Sequence, residues 1–366
     1  MNVELKNIFD LFDHEGTFLS GELFGSGHIN DTYRIQTAEC DSDDYILQKL
    51  NNSIFKNIPQ LQKNIERVTR HLNNRLSKIP GSDVKRECLT LIPAKADGKS
   101  WIVDSNGNFW RMYIFISGHR SYNIVDSPVK AFEGGKAIGR FQAMLVDMSG
   151  EPLTETIPRF HDIENRINML IDRIRENPCN RVCEVEEEIK EYLDRGEEMK
   201  TILKLGKAGI IPLRITHNDT KFNNILFDEN DRALCVIDLD TVMPGYVHYD
   251  FGDAIRTVTN TASEDEKDLS KIEMNIELFE AYTGGYLSET GNTLNEVEKE
   301  YLAFAPKLIT YTMGIRFLTD YIDGDNYYKI HHPHHNLQRS RAQLKLVKSM
   351  EQQHSAMKKI IEKIIN

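Results

Sequence analysis

Residues 214–240 read RITHNDTKFNNILFDENDRALCVIDLD. Two short apolar runs, Ile211 to Thr216 and Ala233 to Leu239, each end in polar residues, which predicts strand, polar loop, strand. The loop holds His217, Asp219, Lys221 and Asn224, and the second run delivers Asp238. Transfer of a phosphoryl group from a nucleotide requires little covalent chemistry. It requires a carboxylate to orient the attacking hydroxyl, and oxygen ligands for a cation on the triphosphate. Asp219 suits the first task. Asn224 and Asp238 suit the second, because Mg²⁺ takes a few hard oxygen ligands and keeps waters for the rest.

Outward from this segment the chain divides at residue 116. Residues 1–116 read as an antiparallel sheet with one inserted helix. Strand-like runs at Phe18 to Ile35, Tyr45 to Leu50, Leu89 to Pro93, Trp101 to Val103 and Phe109 to Ser117 are punctuated by turn formers such as DGKS and DSNGN. The helix spans Gln60 to Leu76, where Ile65, Val68, Thr69 and Leu72 recur at helical spacing. Residues 117–366 are mainly helical, with stretches at Lys130 to Met148, Val182 to Leu205, Glu264 to Tyr282, Glu296 to Tyr321 and Asn336 to Ile365. The predicted class is α+β, a small sheet-rich lobe followed by a larger helical one.

HNDTKFNN followed by IDLD resembles the catalytic loop and metal-binding strand of aminoglycoside phosphotransferases and choline kinases, relatives of the protein kinases. GSGHINDTY, LTETIPRFHD, VIDLDTVMPGYVHYDFGDAIR, GIRFLTDYIDGDNYY and HHNLQRSRAQLKLV are further similar, nearly end to end, to N-acetylhexosamine 1-kinases. The resemblance implies a bilobal protein-kinase-like fold, with residues 1–116 binding the nucleotide and residues 117–366 carrying the catalytic loop and sugar site. It implies ATP as co-substrate, Mg²⁺, and phosphorylation of the anomeric hydroxyl of N-acetylglucosamine or N-acetylgalactosamine. Residue chemistry alone gives only a small-molecule kinase. Choline, homoserine, methylthioribose and aminoglycoside acceptors therefore stay open at this point, as does a non-catalytic nucleotide-binding protein.

The same resemblance assigns the remaining positions. Gly25 and Gly27 form a turn whose backbone N–H groups can approach phosphate oxygens. In YILQKLN, Gln48 and Lys49 point to opposite faces, because strand side chains alternate. Many relatives carry Lys where a direct reading places Gln48. Lys49 is the nearest cation and the expected phosphate binder, with Glu66 as its ion-pair partner. Phe115 and Ile116, in RMYIFIS, are expected to present backbone groups to a purine. Asp219 is the expected base, Asn224 and Asp238 the metal ligands, and Asp219, Thr241, Arg316 and Tyr327 the sugar contacts. A buried Arg316 has a second acceptable role, pairing with a carboxylate such as Asp320. Asp250, Asp253 and Arg256 read as braces for the catalytic loop. The tract HHPHH, His331 to His335, reads as a polar loop, since neighbouring histidines converge poorly on one ion.

Composition narrows the partners. Among 366 residues, 45 Lys and Arg face 56 Asp and Glu, a net charge of −11. Extended phosphate-backbone binders carry the opposite sign, so a nucleic-acid partner is not expected. No apolar run approaches the ~18 residues of a spanning helix. The opening MNVELKNIFD carries Glu4, Lys6 and Asp10 and lacks the apolar core of a secretion signal. The five cysteines are scattered, and no second pair completes a zinc site with Cys179 and Cys183. These features predict a cytoplasmic protein with reduced thiols, away from membranes, and a monomer is expected.

Overall fold

Alternating apolar positions and tight turns in the N-terminal third build five strands: β1 (Phe18–Leu23), β2 (Asp31–Thr37), β3 (Tyr45–Leu50), β4 (Ile102–Val103) and β5 (Phe109–Ile114). They form one sheet in the order β1-β2-β3-β5-β4, antiparallel throughout. This is a computed structural model and describes residues 2–25 and 29–366. The sheet belongs to the first of two compact units, made of Met1–Arg120, Asp147–Pro158 and Leu226–Met243. Ser121–Val146, Arg159–Ile225 and Pro244–Asn366 form the second. The architecture is α+β.

In the first unit, one face of the sheet places Tyr45, Leu47, Trp110 and Met112 in a core with Leu5, Ile8, Phe9 and Phe12. The register pairs Gln48 with Arg111 and Lys49 with Trp110. Alternation therefore sends Gln48 and Arg111 to the face opposite that core. The expected strand at Leu89 to Pro93 contributes only a single bridge, Leu91 to Tyr113. The helix Ile58–Leu76 starts where Asn57 accepts the Gln60 N–H, with Pro59 in its first turn. From its buried side, Asn64 exchanges hydrogen bonds with the Thr154 backbone (2.7 and 3.1 Å) and donates to the Val242 carbonyl (3.1 Å).

The second unit is helical. Its tightest contact joins Pro128–Leu145 to Ile276–Thr290. A Cβ added at Gly135 would lie 2.1 Å from the Tyr282 carbonyl oxygen, and one at Gly285 would lie 1.9 Å from that of Phe132. Only glycine lets the two backbones meet there. Ala305–Asp323 packs on His335–Ile365 around Tyr311, Ile315, Leu318 and Val347.

Three expected helices differ. Val182 to Leu205 divides into a 3₁₀ turn at Val182–Glu184 and the helices Glu186–Met199 and Thr201–Lys207. Glu264 to Tyr282 is not continuous: the helix begins at Ile276, where Asn275 accepts the N–H groups of Glu277 and Leu278. The acidic stretch before it satisfies its backbone locally, as where Asp268 accepts the Ser270 N–H. Glu296 to Tyr321 breaks into Glu296–Glu300 and Ala305–Asp323, the second opening with Pro306 in its first turn. Among the described residues no helix is long and apolar enough to cross a membrane.

Candidate active site

The loop His217–Asn224 lies in the second unit and is held by backbone bonds rather than by packing alone. Asn218 adopts a left-handed conformation, φ 66°. Its side chain closes the turn locally, donating to the Thr216 carbonyl (3.1 Å) and accepting from the Thr216 hydroxyl (3.0 Å). The carboxylate of Asp250 accepts the N–H of His217 at 2.9 Å and that of Asn218 at 2.6 Å. Gln142 donates to the same carboxylate (2.7 Å) and accepts from the Tyr286 hydroxyl (2.6 Å). Burial pushes the Asp250 carboxyl above its usual range. On the other side His161 donates from Nε2 to the Asn218 carbonyl at 3.0 Å. Burial, together with the positive charges of Arg316 and Arg166, lowers its pKa to about 3. It is therefore a neutral donor with a fixed tautomer.

Asp219 follows this clamp and is half-buried, its Oδ1 3.0 Å from Lys221 Nζ. Burial alone would raise its pKa. The charge of Lys221, with His217 and Arg256, outweighs burial and holds the carboxyl below its ordinary value. Asp219 in turn raises the Lys221 ammonium. Asn224 donates from Nδ2 to the Asp219 carbonyl (2.9 Å), which orients its amide and reserves Oδ1 as a hard oxygen donor. Asp253 and Arg256, expected as braces, pair with each other at 2.9 Å, and Arg256 also reaches Glu264 at 2.9 Å.

In the first unit Asp238 is exposed and left-handed, φ 60°, and opens the short turn Leu239–Thr241, in which Asp240 and Thr241 are buried. Its carboxylate is likewise a hard oxygen donor, the type that Mg²⁺ takes. Asp240 accepts from Asn30 Nδ2 (2.7 Å) and pairs with the guanidinium of Arg111, which is 1% exposed. Arg111 Nε donates to Gln48 Oε1 (2.9 Å), and Gln48 donates to the Thr32 hydroxyl (2.9 Å). Burial would lower the Arg111 pKa, but the Asp240 carboxylate reverses that and holds it above the ordinary value. Lys49 is on the other face, its Nζ 6.0 Å from the Trp110 ring centroid. Among the described residues no ion pair joins it to Glu66. Arg111, on the face opposite Lys49, is the cation that pairs with Asp240.

Gly25 has φ +77°, and among the described residues a Cβ added there would meet nothing within 4 Å. Gly27 falls outside the described residues. Phe115 lies under the Arg34 guanidinium (4.3 Å), and its N–H is taken by the Asp44 carbonyl (2.8 Å). Ile116 is buried with Leu226 and Cys235, and its carbonyl is bonded by His119 Nδ1. The Phe115 carbonyl and the Ile116 N–H have no intrachain partner among the described residues.

Back in the second unit, Arg316 lies against the rings of Phe160 (5.5 Å), Tyr327 (5.9 Å) and Tyr328 (5.5 Å). Asp320 does not pair with it. Its carboxylate instead accepts the N–H groups of Tyr327 (2.8 Å) and Tyr328 (2.9 Å) and the Asn336 amide (2.9 Å). Arg316, Tyr327 and Arg166 line a cavity of about 350 Å³. Sequence reasoning missed Arg111, Asp240, His161 and Arg166. The second acid of IDLD was the one local signal for the first two. In HHPHH, His335 pairs with Asp265 at 3.1 Å.

A five-stranded antiparallel sheet, a helical unit and a loop presenting His, Asp, Lys and Asn in that order define a protein-kinase-like fold. Residues 20–288 match the phosphotransferase enzyme family, and the chain belongs to that family. Solved structures agree on the fold. A spectinomycin phosphotransferase with ADP and spectinomycin is similar at TM-score 0.58 and 12% identity, over 96% of this chain and 99% of that one. An amicoumacin kinase in complex with AMP-PNP, Ca²⁺ and Ami is similar at TM-score 0.57 and 14% identity, over 96% of this chain and 93% of that one. Choline kinase from Cryptosporidium parvum is similar at 0.58 and 14%, over 97% and 95%.

Proposed function

We propose that this phosphotransferase is an ATP-dependent small-molecule kinase that phosphorylates the anomeric hydroxyl of N-acetylhexosamines, giving the sugar 1-phosphate. The observation that carries the phosphoryl-transfer reading is Asp219, held ionised beside Lys221 on a loop fixed from both sides. The sugar reading is supported by the likeness of five further segments to N-acetylhexosamine 1-kinases. It is also supported by the cavity of about 350 Å³ beside Arg316, within the range of small-ligand sites.

In this reading residues 1–116 serve the nucleotide and residues 117–366 the acceptor. The purine edge meets the Phe115 carbonyl and Ile116 N–H, and the backbone at Gly25 approaches the phosphates. Asn224 and Asp238 would hold Mg²⁺, which when bound neutralises charge on the phosphate oxygens. Thr241, Arg316 and Tyr327 orient the sugar. Arg111 orders the Asp240 turn. Asp219 orients the anomeric hydroxyl, more acidic than an ordinary alcohol because of the ring oxygen, and accepts its proton late. The sugar oxygen forms a bond to the γ-phosphorus as the bond from that phosphorus to the bridging oxygen breaks, releasing ADP. Alignment of the two reactants supplies much of the remaining rate.

The test is incubation with ATP, Mg²⁺ and a panel of free sugars, aminoglycosides and choline, with products identified by phosphorus NMR. An anomeric phosphate on an N-acetylated sugar is expected. Phosphate on any other hydroxyl rejects the proposal.

A further inference from the structure

The cavity beside Arg316 holds two guanidinium groups, and among the described residues neither forms an ion pair with a carboxylate. Arg166 projects from the helix Ile163–Glu176 and shares the cavity with Arg316. Its Nη2 donates to the Phe160 carbonyl (2.9 Å), its Nη1 reaches only the Met169 sulfur (3.8 Å), and its Nε is buried with no acceptor. Arg316 has the Met313 sulfur (3.4 Å) and aromatic rings. Among the described residues neither group has a carboxylate within ion-pair distance.

The acids of the same cavity are engaged elsewhere. Asp323 pairs with Arg173 at 2.9 Å, and Asp172 pairs with Arg175 at 3.2 Å. Asp320 is turned to two backbone N–H groups and Asn336. Burial, and then the charge of Arg316, push the Arg166 pKa down to about 10. Burial would lower the Arg316 pKa as well, but Tyr328, Tyr327 and Asp219 outweigh it and hold that group above its ordinary value. An oxyanion presented to the two planar forks would relieve their mutual repulsion and take up the open donors of Arg166.

We propose that Arg166 and Arg316 form an oxyanion subsite within the acceptor cavity, suited to a carboxylate or phosphate group. The subsite rests on the reading of Arg316 as an acceptor contact. It extends that reading from neutral N-acetylhexosamines to acidic sugars, or to a free oxyanion acting as a competitor.

Binding, read by calorimetry without turnover, tests it. Glucuronate, glucose and inorganic sulfate are titrated into the full-length protein, its Arg166→Met variant and its Arg166→Lys variant. Glucuronate is expected to bind the unaltered protein about tenfold or more tighter than glucose, as a charge-assisted pair would give. That ratio should fall to about one in Arg166→Met and lie between the two in Arg166→Lys, which also stands in if the Met variant fails to fold. Arg166-dependent binding of glucuronate assigns the subsite to an acidic substituent of the acceptor. Dependence seen with sulfate alone assigns it to a free anion. Equal binding of acid and neutral sugar, together with sulfate binding indifferent to Arg166, overturns the proposal. A protein that binds glucuronate through Arg166 yet phosphorylates no N-acetylhexosamine keeps the subsite and loses only the substrate assignment.

Discussion

The carboxylate of Asp250 accepts the backbone N–H of Asn218 at 2.6 Å. Its second oxygen takes the His217 N–H, so one side chain fixes two consecutive peptide groups immediately before Asp219. His161 holds the Asn218 carbonyl from the other side. The direction of the Asp219 side chain is thus set by bonds to its backbone neighbours, a form of positioning that costs nothing at the moment of reaction.

Replacing Asp250 by Asn removes one acceptor and directs an N–H toward an N–H. Asp250→Asn should lower stability by about 1–3 kcal/mol, the cost of one buried unsatisfied group. It should lower kcat more than it raises KM for ATP, because it touches the loop and not the nucleotide. Urea unfolding and steady-state kinetics check both. A KM effect with kcat preserved would deny Asp250 a positioning role.

Asp219 is held below the ordinary carboxylate range by Lys221 against the effect of burial. Activity should therefore show no loss from this group on acidification until the pH falls below an ordinary aspartate value. In Lys221→Gln the largest charge opposing burial is gone and only His217 and Arg256 remain against it, so the acid limb of the pH–rate profile should move upward. Asp219→Asn should fold normally and lose about 10²–10⁴-fold in kcat, the usual contribution of a general base. Retention of more than about a tenth of the activity would remove Asp219 from that role.

The candidate site is proposed from one short stretch, in which Asp219, Asn224 and Asp238 follow one another in the order that resembles the family's pattern. Arg111 was not legible, because in RMYIFIS it is one polar residue in an apolar strand, and its partner Asp240 is far away in sequence. The choice between Gln48 and Lys49 depended on which face of β3 is covered. That is decided by Phe9 and Phe12 from the N-terminal segment and not by β3 itself. The fold class followed from turn-punctuated strands and helical spacing. The false start of a helix at Glu264 arose because acidic residues favourable to a helix N-terminus also make local turns.

Arg111 and Asp240 form a buried ion pair, and removing one partner leaves an uncompensated charge. Arg111→Met should cost about 3–5 kcal/mol, whereas Arg111→Met combined with Asp240→Leu should recover most of that loss. Activity should not recover in the double variant, because the turn that follows Asp238 then loses both its anchor to Arg111 and its bond from Asn30. Chemical denaturation of the four members of the cycle measures the coupling. A double variant as unstable as Arg111→Met alone would show that the pair is not the source of the cost.

His161 and His248 are both buried and held neutral, with pKa values lowered to about 3 and about 4. In the unfolded chain each titrates near 6.5, so below that pH the unfolded state binds more protons and stability rises with pH. Between pH 7 and pH 5 each histidine should remove about 2 kcal/mol of stability, the slope approaching ~1.4 kcal/mol per pH unit below pH 6.5. The ordinary carboxylates contribute their share only at lower pH. His161→Gln retains an N–H donor for the Asn218 carbonyl but cannot titrate. Its loss of stability from pH 7 to pH 5 should be smaller than that of the unaltered protein by one histidine's share. Urea midpoints at the two pH values provide the comparison, and an unchanged difference would exclude His161 as the titrating group.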